Sequence, residues 1–273
     1  MKLFTFGDSW TEGVGGNIKE EQTTEIPEEK TRIRHKYGWP TQLAKLLKVD
    51  LQNDGVGAFS NNAIFNAVNF KLKNQLISSD DFVIIMWSSS LRDGVPFFPN
   101  ENNLTFWGKR HITKEHLYKY LIDDVRSVRT DFDNIEKDYR DYFINNLFTD
   151  TYYDIVNQNY IMYLQFMFKR LGIRYLFCDA FDCMISNTIN DNIDKTNLID
   201  KNCYWGFGHK TFKDFLVETN RKDVWQDNQF YTKSIEGKHP NKNGYEIISV
   251  ELCRFIMKNN LLKNIDIKNL NLI

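Results

Sequence analysis

The sequence lacks the features that mark nucleic-acid-binding, membrane and exported proteins. Its charges balance, with 35 basic and 36 acidic residues and a net charge of -1, so no overall field favours nucleic acid or an anionic membrane. No apolar run reaches the length of about 18 residues that a membrane span needs. The N-terminus "MKLFTFGDS" has no apolar signal-peptide core. We therefore expect no nucleic-acid partner, no membrane span and a protein that is cytoplasmic as synthesised.

Metal-binding and phosphate-binding patterns are also missing. The four cysteines form no CxxC pair and no metal-ligand spacing with the five histidines, which is typical of reduced thiols and argues against zinc. The glycine-rich segment "GDSWTEGVGG" lacks the GxxxxGK[ST] spacing of a phosphate-binding loop. There is no internal repeat, low-complexity tract or interdomain linker. The sequence predicts a single domain over 1–273 with no metal and no cofactor.

Segments of strand and helix character alternate along the chain. Apolar runs predict strands, the clearest being "DFVIIMW", and apolar residues at helical spacing predict helices. The predicted strands are 2–6, 49–52, 81–87 and 174–181, and the predicted helices begin near Pro40, after Ser60, near 150 and near 242. This alternation predicts an α/β fold with a parallel sheet, helices on both faces and ligands at the carboxyl ends of the strands.

Two stretches depart from this alternation. Residues 16–36 are charged and polar, and we predict a loop there. Residues 93–149 are aromatic and charged, and we predict a mainly helical insertion that forms a cap. The aromatic share of 15% suits a thick core or a carbohydrate-facing surface, and we favour the core.

Ser9 is the candidate nucleophile, because it follows the first predicted strand directly in a turn bounded by glycines. A serine hydroxyl needs a neighbouring base, and an acid that orients the base. Of the five histidines, His239 fits best, since the loop "EGKHPNKNGY" holds it directly before the last predicted helix. Glu236, three residues earlier, could accept the proton on the far imidazole nitrogen. Each residue alone is more typical of a structural role, and the ordered set indicates catalysis.

These segments resemble the sequence blocks of the SGNH, or GDSL, hydrolases. "FGDSWTEG" is similar to the first block, and "HPNKNGY" is similar to the last block, in which an acid three residues before the histidine completes the triad. Between them, "NDGVGAFSNNAI" (53–64) resembles the second block, and "DFVIIMWSSSLRD" (81–93) occupies the place of the third. The resemblance implies a flavodoxin-like three-layer α/β/α sandwich with a parallel sheet, the SGNH hydrolase fold.

The resemblance also implies a role for each catalytic residue. Ser9 would be the nucleophile and a backbone oxyanion donor, His239 the general base and acid, and Glu236 the orienting carboxylate. The family usually has aspartate at the position of Glu236, and Asp227 is the alternative if its loop folds back.

The remaining oxyanion donors are less well defined by the resemblance. The second-block donor aligns with Ala58, or with Gly57 if the register slips by one, and it would act through its backbone N–H. The third block normally supplies an asparagine side chain, whereas "WSSS" places Ser89 nearest that position and leaves Asn61 as another candidate.

Four further residues flank the predicted site and are candidates for substrate binding: Asp8, Trp10, Trp87 and Arg92. A tryptophan ring could lie on a sugar face, and an arginine could bind an anionic or hydroxyl-rich substrate. The competing interpretations are core packing for the tryptophans, a tie between loop and helix for the arginine and backbone hydrogen bonds for the aspartate.

The predicted function is cleavage of an acetyl or other short acyl ester, on a small molecule or a glycan, through a Ser9 acyl-enzyme. One alternative is a catalytically decayed glycan-binding or structural module, suggested by the missing third-block asparagine and by glutamate in place of aspartate. The other is an O-acyltransferase that uses the same triad. The sequence does not define the oligomeric state, and a viral source would suggest a virion-associated protein.

Overall fold

The structure, a computed structural model, describes residues 1–57, 59–88, 150–184, 198–225 and 239–262. Within these ranges a four-stranded parallel sheet has the order β2-β1-β3-β4. The strands are β1 Lys2–Gly7, β2 Asp50–Gly55, β3 Phe82–Trp87 and β4 Arg174–Asp179. A parallel bridge between Phe177 and Tyr204 extends the sheet beyond β4. The predicted α/β fold is confirmed, and the strand order follows the flavodoxin-like pattern.

Eight α-helices are described, in addition to short 3-10 turns at Lys201–Cys203 and Lys222–Val224. The helices are α1 Ser9–Glu12, α2 Ile18–Glu21, α3 Pro27–Tyr37, α4 Trp39–Leu47, α5 Asn61–Lys73, α6 Asp150–Leu171, α7 Phe212–Glu218 and α8 Lys242–Lys258.

Two hydrophobic clusters, one on each face of the sheet, produce the three layers. Alternate residues of β3 face opposite sides, so Ile84 joins one cluster and Ile85 the other. The first cluster contains Leu43 of α4 and Ile248 of α8. The second contains residues of α5 and α6, including Ile161. Burial on both faces explains why β3 is apolar throughout, and the predicted α/β/α sandwich is confirmed.

Capping residues mark where several of the helices begin or end. The Ser60 hydroxyl accepts a hydrogen bond from the Ala63 N–H at 3.2 Å and begins α5. Gly172, with φ of +67°, follows the last residue of α6. The helix predicted near 242 is α8, whose first turn is capped by Asn241.

The loop predicted for residues 16–36 is wrong, because this stretch contains α2 and α3. Helix α3 has Pro27 in its first turn and buries only Ile33, so it shows no apolar stripe that would reveal a helix. Instead, Arg34 anchors it to two buried carboxylates. Polar contacts thus stabilise a helix that hydrophobic periodicity cannot predict.

The predicted insertion at 93–149 lies outside the described residues. Of the helices that the structure does describe, none combines the length and apolar character of a membrane span.

Candidate active site

Ser9 lies at the carboxyl end of β1, in the first turn of α1. The preceding Asp8 caps this short helix by accepting the Trp10 N–H at 3.0 Å through Oδ1. The helix lies so close to the end of β2 that a Cβ on Gly55 would stand 2.5 Å from the backbone nitrogen of Glu12. Glycine at the strand end therefore makes room for the helix that carries the serine.

His239 comes from the opposite end of the chain and contacts this serine. Its Nε2 lies 2.9 Å from Ser9 Oγ, across 230 positions of sequence. This distance is that of a hydrogen bond between a nucleophile and its base. The structure therefore brings together the first two residues of the predicted triad.

The loop that carries His239 is fixed by backbone contacts with residues 223–225. Pro240 forms an antiparallel bridge with Trp225, and the Asn241 side-chain amide donates to the carbonyls of Asp223 at 2.7 Å and Trp225 at 3.0 Å. The hydroxyl of Tyr245 donates to the Val14 carbonyl at 2.7 Å. Helix α8 and the loop after α1 are thus joined beside the Ser9–His239 pair.

Five residues predicted for the site lie outside the described ranges, so their roles stay predictions. They are the two candidate acids Glu236 and Asp227, the candidate oxyanion donors Ala58 and Ser89, and Arg92.

The backbone N–H of Gly57 is already bound within the protein. It donates to Glu12 Oε2 at 2.5 Å, so it is not directed at an oxyanion. This contact corrects the interpretation in which Gly57 is the second-block donor, and it leaves Ala58 as the candidate from that block. Among the described residues, none accepts a hydrogen bond from the Ser9 N–H, which suits its predicted role as a donor.

Asn61 links structural elements around the site. Its Oδ1 accepts the Ser88 N–H at 2.9 Å, and its Nδ2 donates to Met184 Sδ at 2.9 Å. The Ser88 hydroxyl then donates to Asp8 Oδ2 at 2.7 Å. Sequence reasoning missed Ser88, although its position directly after β3 was a usable indication. These bonds join the start of α5 to the carboxyl ends of β1 and β3.

The three described candidates for substrate binding are interior residues. Trp10 is 1% exposed, and its ring meets Phe181 edge to face at a centroid distance of 4.9 Å. Trp87 and Asp8 are fully buried. None of the three presents a surface to a substrate, and the structure corrects this part of the sequence interpretation: the two tryptophans stabilise the core, and the aspartate caps α1.

Asp179, the last residue of β4, has a buried carboxyl group. The sequence did not indicate this burial. Its Oδ1 accepts the Tyr204 hydroxyl at 2.7 Å, and its Oδ2 accepts the Met184 N–H at 3.3 Å. Burial raises the pKa of Asp179 to about 7, against the opposing effect of these hydrogen bonds. This carboxyl therefore titrates near neutral pH.

Cys178 and Cys183, in and after β4, are poor candidates for a nucleophile. Burial raises the pKa of Cys178 well above its ordinary value, and burial together with the charge of Asp179 raises the pKa of Cys183 to about 12. Thiolate, the reactive form, is therefore scarce at neutral pH. Nowhere in the described ranges do three or more metal-ligating side chains cluster.

Two solved structures are similar to this chain at low sequence identity. One is a protein assigned to the lipolytic G-D-S-L family from Desulfitobacterium hafniense DCB-2, with 11% identity and a TM-score of 0.41 over 96% of this chain and 99% of that chain. The other is a carbohydrate esterase whose active site displays divergent catalytic and non-catalytic binding functions. Its identity is 12% and its TM-score 0.44, over 97% of this chain and 69% of that chain. No protein-family model and no curated protein matches the sequence.

Proposed function

We propose that the protein hydrolyses esters through an acyl-enzyme formed on Ser9. The observation that carries this proposal is the distance of 2.9 Å between Ser9 Oγ and His239 Nε2, at the carboxyl edge of a parallel sheet where ligands of such folds bind. A hydrogen bond between a serine and a histidine from opposite ends of the chain supports a nucleophile and base pair at this edge.

Acylation begins when His239 Nε2 takes the proton of Ser9 as Oγ attacks the ester carbonyl carbon. The carbonyl oxygen becomes an oxyanion, and the N–H groups of Ser9 and Ala58 are the proposed donors to it. The tetrahedral intermediate collapses, the bond to the alcohol oxygen breaks, and His239 returns its proton to that leaving oxygen.

Deacylation repeats the steps of acylation, with water in place of the Ser9 hydroxyl as the attacking group. His239 Nε2 takes a proton from the attacking water, a second tetrahedral intermediate forms, and its collapse releases the carboxylic acid while Ser9 Oγ regains its proton. In this proposal Glu236 accepts a hydrogen bond from the far imidazole nitrogen and thereby stabilises the imidazolium of both steps.

The proposed substrate class is an acetyl or other short acyl ester of a small molecule or a glycan. The four sequence blocks support ester chemistry, and the aromatic residues of the 93–149 segment suit a carbohydrate alcohol. Because Trp10 and Trp87 lie in the core, they form no part of the proposed substrate contacts.

Hydrolysis of p-nitrophenyl acetate, butyrate and octanoate, and acetate release from acetylated glycans, test the proposal. Ser9→Ala and His239→Ala should each lower kcat by at least about a thousandfold. The matched control is Ser249→Ala, which changes another buried serine, in α8, and should retain activity. The protein should cleave p-nitrophenyl acetate faster than p-nitrophenyl octanoate. Wild-type activity in a folded Ser9→Ala protein would refute the mechanism.

A further inference from the structure

The carboxylate of Glu12 connects the nucleophile helix to the loop between β2 and α5. Glu12 ends α1 and is only 5% exposed. Its Oε2 accepts the Gly57 N–H at 2.5 Å, and a Cβ on Gly57 would stand 2.7 Å from the same oxygen. A glycine at this position lets the carboxylate reach the loop backbone directly.

Arg34 of α3 holds this carboxylate in place. Its Nη1 donates to Glu12 Oε1 at 2.8 Å, and its Nε donates to Glu21 Oε2 at 3.0 Å. Glu21 in turn accepts the Gly15 N–H at 3.0 Å. One guanidinium thus binds two buried carboxylates, and each carboxylate binds a backbone N–H near the site. Buried charges paired in this way leave little freedom for either partner.

A further hydrogen bond joins strand β2 to helix α1. The Asn53 side-chain amide donates to the Thr11 carbonyl at 2.9 Å. Asn53, in β2, and Gly57, beyond its end, are therefore both bound to α1. The polar helix α3 contributes little to the hydrophobic core, and it supplies the arginine that holds Glu12.

We infer that Glu12, oriented by Arg34, is a positioning residue for the oxyanion site. By fixing the Gly57 amide, Glu12 holds the chain that leads directly to the N–H proposed as a second-block donor. This inference rests on the proposed function. Because preorganised donors stabilise an oxyanion strongly and a shift of about 1 Å can cost about a hundredfold in rate, a loosened loop should slow the chemical steps and leave substrate binding largely unchanged.

The test compares Glu12→Ala, Glu12→Gln and Arg34→Lys with wild type in p-nitrophenyl acetate hydrolysis, with Ser9 titrated by a fluorophosphonate. Glutamine keeps an oxygen that can accept the Gly57 N–H, and lysine keeps the charge but not the two-armed geometry of arginine. The matched control is Arg32→Ala in the same helix, because Arg32 is 79% exposed in a surface ion pair with Glu29.

Glu12→Ala should lower kcat about 10- to 100-fold with KM within about twofold. Glu12→Gln should recover at least part of that loss, Arg34→Lys should fall between wild type and Glu12→Ala, and Arg32→Ala should match wild type. A Glu12→Ala protein with a lower Tm but wild-type kcat per titrated Ser9 would show a structural role alone and overturn the inference.

The other variants and the wild-type protein cover the case in which Glu12→Ala does not fold. If Glu12→Ala does not fold, Glu12→Gln and Arg34→Lys decide, and wild-type kcat in Arg34→Lys overturns the inference. If the wild-type protein neither hydrolyses esters nor reacts at Ser9, the proposed function fails and the positioning role fails with it. If the wild-type protein is active and Glu12→Ala is equally active, the positioning role fails and the proposed function stands.

Discussion

Replacing Asp179 with asparagine should remove a pH dependence from the stability of the protein. Asp179 is fully buried, and burial raises its pKa to about 7, whereas an aspartate in an unfolded chain has a pKa of about 3.9. Between these values the folded protein keeps a proton that the unfolded chain releases. Raising the pH therefore favours unfolding, and this contribution to stability is fully present only below pH 4 and is lost through pH 7.

The magnitude follows from the two pKa values. The free energy of unfolding should fall by about 1.4 kcal/mol per pH unit from pH 5 to about pH 6.5, level off above pH 7 and lose about 2.5 kcal/mol in total between pH 5 and pH 8. Urea unfolding of wild type and Asp179→Asn over this range measures the difference in slope. Asp80→Asn, at an exposed position just before the amino end of β3, is the control and should follow wild type. Parallel curves for wild type and Asp179→Asn would refute the reasoning.

Three other predictions concern residues around the site. Cys183, whose pKa is raised to about 12, should react with iodoacetamide at pH 8 about a thousandfold more slowly than a thiol of ordinary pKa. A rate equal to that of an ordinary thiol, measured by mass spectrometry, would contradict the raised pKa. Tyr245→Phe removes the hydrogen bond to the Val14 carbonyl and should lower the free energy of unfolding in urea by about 1 kcal/mol. An unchanged free energy of unfolding would show that this hydrogen bond does not stabilise the fold. Trp10→Ala should lower the free energy of unfolding by about 3–5 kcal/mol, because this ring is buried. An unchanged free energy of unfolding would contradict its role in the core and favour the substrate-binding interpretation.

Hydrophobic patterning explains which elements the sequence predicted. Strand β3 is buried on both faces, and its sequence is an uninterrupted apolar run. The capping residue Ser60 marks the start of α5. Helix α3 gave no such pattern, because its attachment depends on the ion pairs of Arg34 with carboxylates that are distant in sequence. Spacing rules do not reveal which distant charges will meet.

Some features of the candidate site follow from local sequence, whereas others depend on contacts between distant residues. Ser9 and His239 follow from local context, since each lies in a turn of distinctive composition beside a predicted element. The choice between Gly57 and Ala58 depends on Glu12 accepting the Gly57 N–H, which the local sequence does not show. The burial of Trp10 likewise depends on Phe181 and Trp225, more than 170 positions away.

Reaction with a fluorophosphonate tests the central claim most directly. If His239 activates Ser9, the Oγ attacks phosphorus, fluoride leaves and the proton passes to the imidazole. Mass spectrometry should then find the adduct on the tryptic peptide 3–19, in which Ser9 is the only serine, and should find none in Ser9→Ala and a much slower reaction in His239→Ala. A folded wild-type protein that forms no adduct on this peptide would contradict the account.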